Sequence, residues 1–97
     1  MINSKKIAII IPTFNEEKNI NRLITSIRKF LLKSFIYVID DSKNFKTKKI
    51  LKGKKNIKYI HRTNKSGRGS AVIDGLKIAT KKKKYNYFYR NGCWFFS

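Results

Sequence analysis

Two short, unbroken runs of apolar residues constrain the fold of this chain more than any other feature. The first covers residues 7–12 (Ile-Ala-Ile-Ile-Ile-Pro) and the second covers residues 35–39 (Phe-Ile-Tyr-Val-Ile). Both are rich in β-branched residues, in the pattern of a strand that is covered on both of its faces. The first is far shorter than the ~20 apolar residues that a membrane span requires. The runs therefore predict buried strands of a parallel sheet.

The rest of the chain predicts a regular alternation of strands and helices. Apolar residues recur at helical spacing after the first strand, and Asn15 is the predicted cap of that helix. The order β-α-β-α-β-α-β predicts one small α/β domain with a mostly parallel sheet flanked by helices. The last helix is expected to face inward through Val72, Ile73, Leu76 and Ala79. The predicted helices cover residues 20–31, 44–51 and 70–82, and the later strands cover residues 57–61 and 85–89.

The charge of the chain is strongly positive. It has 24 Lys and Arg residues against 5 Asp and Glu residues, a formal net charge of +19. Such a charge favours a nucleic acid, an anionic membrane surface or a phosphorylated ligand. Lys, Ile and Asn, which are all abundant here, have A/T-rich codons. An A/T-rich genome would therefore also produce a basic chain without any selection for binding. Because Cys93 is the single cysteine, no intrachain disulfide can form, and we expect a cytoplasmic protein, peripheral at most to the inner membrane surface.

Four of the five acidic residues follow directly on the two apolar runs. Glu16 and Glu17 come after the first strand, and Asp40 and Asp41 come at the end of the second. The carboxyl ends of parallel strands meet at one edge of a sheet, where open α/β folds bind ligands. The sequence therefore predicts a carboxylate-rich binding crevice at this edge, which can accept hydrogen bonds from a base or a ribose.

The third strand leads to the same edge through a polar, glycine-containing loop. This loop ends in Gly67-Arg68-Gly69-Ser70, at the start of the last helix. Exposed backbone amides at a helix start, together with Lys65 and Arg68, can bind phosphate. Carboxylates and phosphate-binding amides at one edge suit a nucleotide that carries a diphosphate.

Three segments of this edge resemble the family 2 glycosyltransferases, and most closely the branch that includes dolichol-phosphate mannosyltransferase. They are Ile-Ile-Pro-Thr-Phe-Asn-Glu-Glu-Lys-Asn-Ile (10–20), Val-Ile-Asp-Asp-Ser (38–42) and Gly-Arg-Gly-Ser-Ala-Val-Ile-Asp-Gly-Leu-Lys-Ile-Ala (67–79). The resemblance covers roughly residues 5–88. It implies the nucleotide-binding half of a GT-A fold and the inverting transfer of a sugar from a GDP- or UDP-sugar. It further implies an acceptor such as a polyprenyl phosphate at the membrane surface, a Mg²⁺ or Mn²⁺ cofactor, and no role for nucleic acid as partner.

The resemblance also implies roles for individual residues. Asp40 would contact the base or ribose, with Asp41 close by. His61 is expected to be a strand-end residue without a catalytic role, and Asp74 to be exposed or paired with a lysine. No catalytic residue or metal ligand is predicted within the chain. The predicted base pocket consists of Pro12, Phe14 and Glu16, and the groups predicted near the donor are Lys65, Gly67, Arg68 and Gly69.

The chain departs from the family pattern after its fourth strand. There the family has a metal-binding Asp-x-Asp segment, whereas this chain has no Asp or Glu after Asp74. A divalent cation needs oxygen ligands, and this chain has no carboxylate to supply them at that position, so the metal-binding motif is absent. We therefore predict a partial nucleotide-sugar-binding domain over residues 1–88 and an aberrant tail over residues 89–97. Such a chain is expected to be truncated and inactive alone.

Two alternatives remain open at this stage. The first is a small basic module that binds nucleic acid or anionic membranes, and its binding would depend steeply on salt. That binding would survive Asp40→Ala, whereas the same substitution would weaken nucleotide binding by a glycosyltransferase. An unstable product of an open reading frame would aggregate through an exposed fourth-strand edge and the aromatic tail over residues 94–96.

A single-base frameshift near Phe88 would explain the tail. Residues 89–97, encoded as TAT AGA AAT GGA TGC TGG TTT TTC TCN and read one base later, give Ile-Glu-Met-Asp-Ala-Gly-Phe-Ser. This closely resembles the expected metal-binding segment, although Trp94 forces Gly in place of the second Asp. We expect the gene's downstream DNA, read in that frame, to continue openly into acceptor-domain motifs. A frame without them contradicts the frameshift hypothesis.

Overall fold

The computed structural model describes residues 3–64, 66–90 and 93–96, the last of these by backbone only. A short 3₁₀ turn over Ser4–Lys6 precedes the first strand. The strands are β1 (Ile7–Thr13), β2 (Phe35–Asp40), β3 (Ile57–His61), β4 (Tyr87–Arg90) and β5 (Cys93–Phe96), and the helices are α1 (Ile20–Phe30), α2 (Lys46–Leu51) and α3 (Arg68–Thr80).

The described strands form one sheet in the order β3-β2-β1-β4-β5. Neighbours β3, β2, β1 and β4 all run parallel, and β5 pairs with β4 in the antiparallel direction. Parallel neighbours require crossover connections, which α1, α2 and α3 supply. The architecture confirms the predicted α/β fold with a mostly parallel sheet flanked by helices.

Helices cover both faces of the sheet, and β1 supplies side chains to both. Ile7, Ile9 and Ile11 pack in the core beneath α1 and α2, whereas Ala8 and Ile10 pack beneath α3. All five side chains are buried. This two-sided burial is the physical reason why the strand has so few polar positions.

The helices differ from the prediction in their bounds, since α2 begins at Lys46 and α3 covers Arg68–Thr80, and in the roles of two residues. Asn15 does not cap α1, which begins at Ile20 with Asn19 at the cap position and no side-chain cap hydrogen bond. Asn15 instead has a φ of 53° and turns the chain, and its backbone N–H donates to Ser42 Oγ at 2.6 Å. In α3 the predicted inward position of Ile73 is wrong, because its side chain is exposed, and Ala71 and Gly75 face the sheet instead.

The described residues after Phe88 belong to the sheet. Tyr89 and Arg90 complete β4, and residues 93–96 form β5 along its outer edge. The sequence did not predict this strand, and the expectation that β4 has an exposed edge is wrong. None of the helices in the described part of the chain has the length and apolar composition of a membrane span.

Gly75 sets the distance between α3 and the sheet. A Cβ at this position would lie 2.6 Å from Ile10 Cγ2 and 3.2 Å from Ile39 Cγ1. Both isoleucines are buried and β-branched, so they cannot move aside freely. The helix can approach the sheet this closely because residue 75 has no side chain.

We expect Gly75→Ala to lower the free energy of unfolding by about 1–2 kcal/mol, since the overpacking exceeds the gain of about 1 kcal/mol in helix propensity. Gly69→Ala in the same helix is the matched control, because a Cβ at residue 69 would have no atom within 4 Å. This control should keep or raise stability. Urea unfolding followed by circular dichroism measures both, and equal stabilities would contradict the packing argument.

Candidate functional site

The last residues of three parallel strands lie level with one another. Thr13 of β1 pairs with Asp40 of β2, and Asp40 pairs with His61 of β3. The polar residues that follow these strands therefore meet at one edge of the sheet, which we call the carboxyl edge. The structure thus places the acidic residues at the edge of the sheet where the sequence predicts the binding crevice.

Asp40 is the buried centre of a hydrogen-bond network at this edge. Its side chain is 0% exposed. Oδ1 accepts hydrogen bonds from Thr13 Oγ1 at 3.1 Å, Ser42 Oγ at 2.6 Å and the Ser42 backbone N–H at 3.0 Å. Oδ2 accepts a short hydrogen bond from the Tyr59 hydroxyl. In this structure the carboxylate holds β1, β2 and β3 together, and its predicted contact with a base or ribose stays a prediction.

The environment beside Asp40 changes the pKa of Tyr59. Burial, followed by the hydrogen bond to Asp40 and the charge of that carboxylate, raises the pKa of the Tyr59 phenol above its usual range. Tyr59 therefore remains a protonated donor at neutral pH, which keeps Oδ2 of Asp40 occupied.

Arg62 connects Asp41 to α3. Its Nε and Nη2 donate to the two carboxylate oxygens of Asp41, each at 2.6 Å, in a bidentate pair. Its Nη1 donates to Asp74 Oδ2 at 3.0 Å, and Nη2 also donates to the Gly67 carbonyl at 3.2 Å. The side chains of Arg62 and Asp41 are both almost fully buried. One guanidinium thus joins the end of β2 to the loop that leads into α3.

The buried guanidinium stays charged. Hydrogen bonds to Asp41 are the main reason that the pKa of Arg62 lies above its ordinary value, with a further contribution from Asp74 and with burial acting in the opposite direction. Asp74 was predicted to be exposed or paired with a lysine; in the structure it is partly buried and pairs with Arg62. Asp41 is also more constrained than predicted, because both of its oxygens are engaged by Arg62.

An open crevice lies beside this ion-pair network. One cavity of about 560 Å³ is lined by Phe14, Asp41, His61, Arg62 and Ser66, among others. A neighbouring cavity of about 310 Å³ adds Pro12, Gly67 and Arg68. The two share Phe14, Asp41 and Ser66, so we treat them as one crevice. Its size suits a small organic ligand, and the 55% exposed ring of Phe14 offers it a flat apolar surface.

The start of α3 forms the far wall of the crevice. Gly67 has a φ of 108°, which a residue with a side chain rarely adopts, and the helix begins at the next residue. The first amides of a helix have no partner within the helix, and they attract anions. Arg68 Nη2, on this wall, lies 3.6 Å from Glu16 Oε1, in a largely exposed ion pair.

The structure brings together most of the residues that the sequence predicted. Pro12, Phe14, Asp41, Gly67 and Arg68 line the crevice. Glu16 is not among the residues that line it, but it pairs with Arg68, and Gly69 lies in the first turn of α3. Asp40 is buried beneath it. Lys65 lies outside the described residues.

Sequence reasoning missed the roles of Arg62 and Tyr59. Arg62 follows the third predicted strand directly, so its position at the carboxyl edge could be predicted, but its choice of partners could not. His61 ends β3 as predicted, and its Nε2–H donates to the Ser42 carbonyl at 2.6 Å.

The described residues do not fit a Mg²⁺ or Mn²⁺ ion. Among them, no group of three or more His, Cys, Asp or Glu side chains is placed to hold a metal. The oxygens of Asp40 and Asp41 already accept hydrogen bonds from Tyr59, Ser42 and Arg62. No step proposed below therefore depends on a metal held by these residues.

We expect Arg62→Met to lower the free energy of unfolding by about 3–5 kcal/mol, because it leaves the carboxylate of Asp41 buried without its partner. Arg62→Lys, which keeps the charge but loses the bidentate geometry, should fall between Arg62→Met and the wild type. Arg68→Met is the control, since its exposed pair with Glu16 is worth at most about 1 kcal/mol. Urea unfolding measures all three, and equal losses for Arg62→Met and Arg68→Met would contradict the central role of Arg62.

Comparison with known proteins identifies the family of this chain. The model of the family described as Glycosyl transferase family 2 matches residues 8–89. A dolichol-phosphate mannosyltransferase of Pyrococcus furiosus is 38% identical over 80 residues, covering 77% of this chain and 23% of that protein. An uncharacterized protein of Methanocaldococcus jannaschii is 36% identical over 83 residues, covering 80% of this chain and 35% of that protein.

The chain thus spans about a quarter to a third of the length of these curated relatives. The matched region includes β2, β3, all three helices and most of β1 and β4. Its α/β sheet agrees with the nucleotide-binding half of a GT-A fold. On the strength of the family match over most of its length, the chain belongs to glycosyltransferase family 2.

Proposed function

We propose that this chain forms the donor-binding part of a family 2 glycosyltransferase. Its substrate would be a GDP- or UDP-sugar, and the acceptor of the complete reaction would be a hydroxyl or phosphate group, such as that of a polyprenyl phosphate. The observation that carries the proposal is the crevice at the carboxyl edge, where an exposed aromatic ring and the start of a helix face one another.

The crevice offers different chemistry at its two ends. The exposed ring of Phe14 next to Pro12 supports a stacked base, because every nucleobase has a flat face that can stack on an aromatic ring. At the other end, the first amides of α3 and the Arg68 guanidinium support a diphosphate. A nucleoside diphosphate joins both groups in one molecule.

The buried ion pair gives this crevice a fixed shape. Arg62 holds Asp41 and the Gly67 carbonyl, and Asp40 holds the three strand ends. We propose that these residues position the crevice and that the exposed residues Phe14 and Arg68 contact the donor. Asp40→Ala is therefore a poor test of donor contact, since it removes the centre of a buried network.

Donor binding is tested by calorimetric titration of the chain with GDP, UDP and their sugar conjugates. We expect Phe14→Ala to weaken binding by about tenfold through lost stacking. Arg68→Ala should weaken it by about three- to tenfold through a lost charge-assisted hydrogen bond. Both side chains are exposed, so both variants should fold.

The matched controls are Ile73→Ala and Lys77→Ala, an exposed apolar and an exposed basic residue of α3 outside the crevice. They should leave the affinity unchanged. The same mixtures, supplied with Mn²⁺ and a polyprenyl phosphate, should show no sugar transfer, since the carboxylates at this edge are engaged with protein partners. Absence of nucleotide binding, or equal losses in variants and controls, would contradict the proposed site, and metal-dependent transfer would contradict the proposed inactivity.

A further inference from the structure

In the described part of the chain, no acidic side chain lies at the amino end of the sheet. The sequence contains five acidic residues, and all of them lie at or beside the carboxyl edge: Glu16, Glu17, Asp40, Asp41 and Asp74, the last through its contact with Arg62. Lysines precede every parallel strand at the amino end, at positions 5, 6, 33, 54, 55 and 81–84. The charge of these lysines is therefore not compensated by an Asp or Glu of the chain.

Four of these lysines surround one cavity, which we call the lysine cavity. It has a volume of about 600 Å³ and is lined by Lys5, Lys6, Lys33 and Lys84, together with Asn3, Asn56, Phe35 and Tyr85. All of these residues lie at the start of a parallel strand or shortly before one, so the cavity extends across the amino ends of the parallel sheet. A space of this size can hold a small ligand.

Backbone hydrogen bonds fix the walls of the lysine cavity. The Lys33 N–H donates to Ser4 Oγ at 3.0 Å, which joins the α1–β2 connection to the turn before β1. The Asn86 N–H donates to the Lys6 carbonyl at 2.9 Å, which joins the approach to β4 to the same turn. The lysines are thus brought together by the fold and not by their spacing in the sequence.

Two aromatic rings hold the ammonium group of Lys84 at the cavity. Lys84 Nζ lies 5.7 Å from the centre of the Phe35 ring and 5.4 Å from that of the Tyr85 ring. The two ring centres are 6.5 Å apart, and the Tyr85 hydroxyl shares a hydrogen bond of 3.1 Å with the buried Tyr37 hydroxyl. Cation–π contacts of this kind position an ammonium group without neutralising its charge.

A partly buried arginine adds to the positive field. Arg28 Nη1 donates to the Ser34 carbonyl and hydroxyl, and Nη2 donates to the carbonyls of Lys55 and Asn56. Among the described residues, these acceptors are all neutral oxygens. Arg28 therefore holds the approaches to β2 and β3 together, and no carboxylate among these contacts compensates its charge.

We propose that the lysine cavity binds a small anion with several linked phosphates. Several ammonium groups around one space favour an anion with several charges, because each phosphate can accept a charge-assisted hydrogen bond from a different lysine. A single phosphate would meet only some of these lysines and leave the others to repel one another. Inorganic tripolyphosphate and the phosphate chain of a nucleoside triphosphate share this chemistry.

The aromatic rings of the cavity favour a small anion over a nucleic acid. Proteins that bind single-stranded nucleic acid stack the bases on exposed aromatic faces. Tyr85 is only 5% exposed, and the partly buried ring of Phe35 has the ammonium group of Lys84 near it. These rings position a lysine and do not offer a free face to a base.

Binding of such an anion should also stabilise the fold. Like charges gathered in one place destabilise a folded protein, and a ligand that binds only the folded chain shifts the unfolding equilibrium toward it. The stability of this chain should therefore rise more with a condensed phosphate than with a simple salt. The proposal does not rest on the proposed function, because it uses none of the crevice residues.

Calorimetric titration of the chain with sodium tripolyphosphate in about 0.1 M NaCl tests the proposal. The double variant Lys33→Gln, Lys84→Gln should bind about tenfold or more weakly, since two charge-assisted hydrogen bonds are lost. In urea unfolding, tripolyphosphate should raise the midpoint of the wild type more than NaCl of equal ionic strength does. The double variant should lose this difference.

The matched control is the double variant Lys46→Gln, Lys77→Gln. Both residues are exposed lysines outside the cavity, and the two double variants carry the same net charge. The control should weaken binding by less than about threefold, because it removes only a distant, screened attraction. None of the backbone hydrogen bonds described above needs the substituted side chains, so both variants should fold, as circular dichroism can verify.

A ¹H–¹⁵N NMR spectrum locates the bound anion. Tripolyphosphate should move the amide signals of Lys6, Lys33 and Lys84, which lie before three different strands. Titration with ATP distinguishes the two sources of linked phosphates. Tighter binding of ATP at the same three amides would support the site and identify a nucleotide as its ligand. Movement confined to residues 67–70 would place the anion at the start of α3, and the proposal would be wrong.

Three further results would overturn the proposal. The first is no binding of tripolyphosphate beyond the effect of NaCl at equal ionic strength, and the second is an equal loss in the two double variants. The third is a single-stranded oligonucleotide that binds more tightly than tripolyphosphate and loses that binding in the Lys33→Gln, Lys84→Gln variant. In that case the surface is a nucleic-acid site.

Discussion

The bidentate pair between Arg62 and Asp41 is the interaction on which the carboxyl edge depends. β2 ends at Asp40, and the chain then leaves the sheet, so nothing in the strand ladder fixes the Asp41 side chain or the loop before α3. The guanidinium of Arg62 supplies that connection, because it binds Asp41, Asp74 and the Gly67 carbonyl at once. Two carboxylates compensate one buried cation, so the cation retains its charge and the loop keeps one position.

This arrangement separates residues that build the crevice from residues that a ligand can reach. Asp40 and Asp41 are bound by protein donors on every oxygen, whereas Phe14 and Arg68 are exposed. A site of this kind has its shape fixed before a ligand arrives, which lowers the entropic cost of binding. The acidic residues that stand out in the sequence therefore contribute indirectly, through the geometry of the edge.

The sequence predicted the strands well because their chemistry is local. Residues 57–61 form β3 over the predicted span, and the two apolar runs form β1 and β2. The start of α1 could not be predicted, because Asn15 adopts a left-handed conformation that depends on its contact with Ser42, 27 residues away. The partners of Arg62 and the role of Gly75 depend in the same way on which elements pack together. Strand β5 contains the aromatic run over residues 94–96, which the sequence assigned to an aberrant tail, and its role as a strand becomes evident only from its pairing with β4.

The two arginines that tie the strand connections show how the fold divides its charge. Arg62 joins loops at the carboxyl edge through carboxylates, and Arg28 joins loops at the amino end through neutral carbonyls. Burial lowers the pKa of Arg28 below its ordinary value, yet arginine keeps its proton in proteins, so the positive charge persists there. A chain with a net charge of +19 could scatter its few acids evenly and weaken its own repulsion everywhere. Placing all of them at one edge leaves the lysines of the other edge without acidic side chains, so the repulsion among these lysines is not offset by carboxylates of the chain.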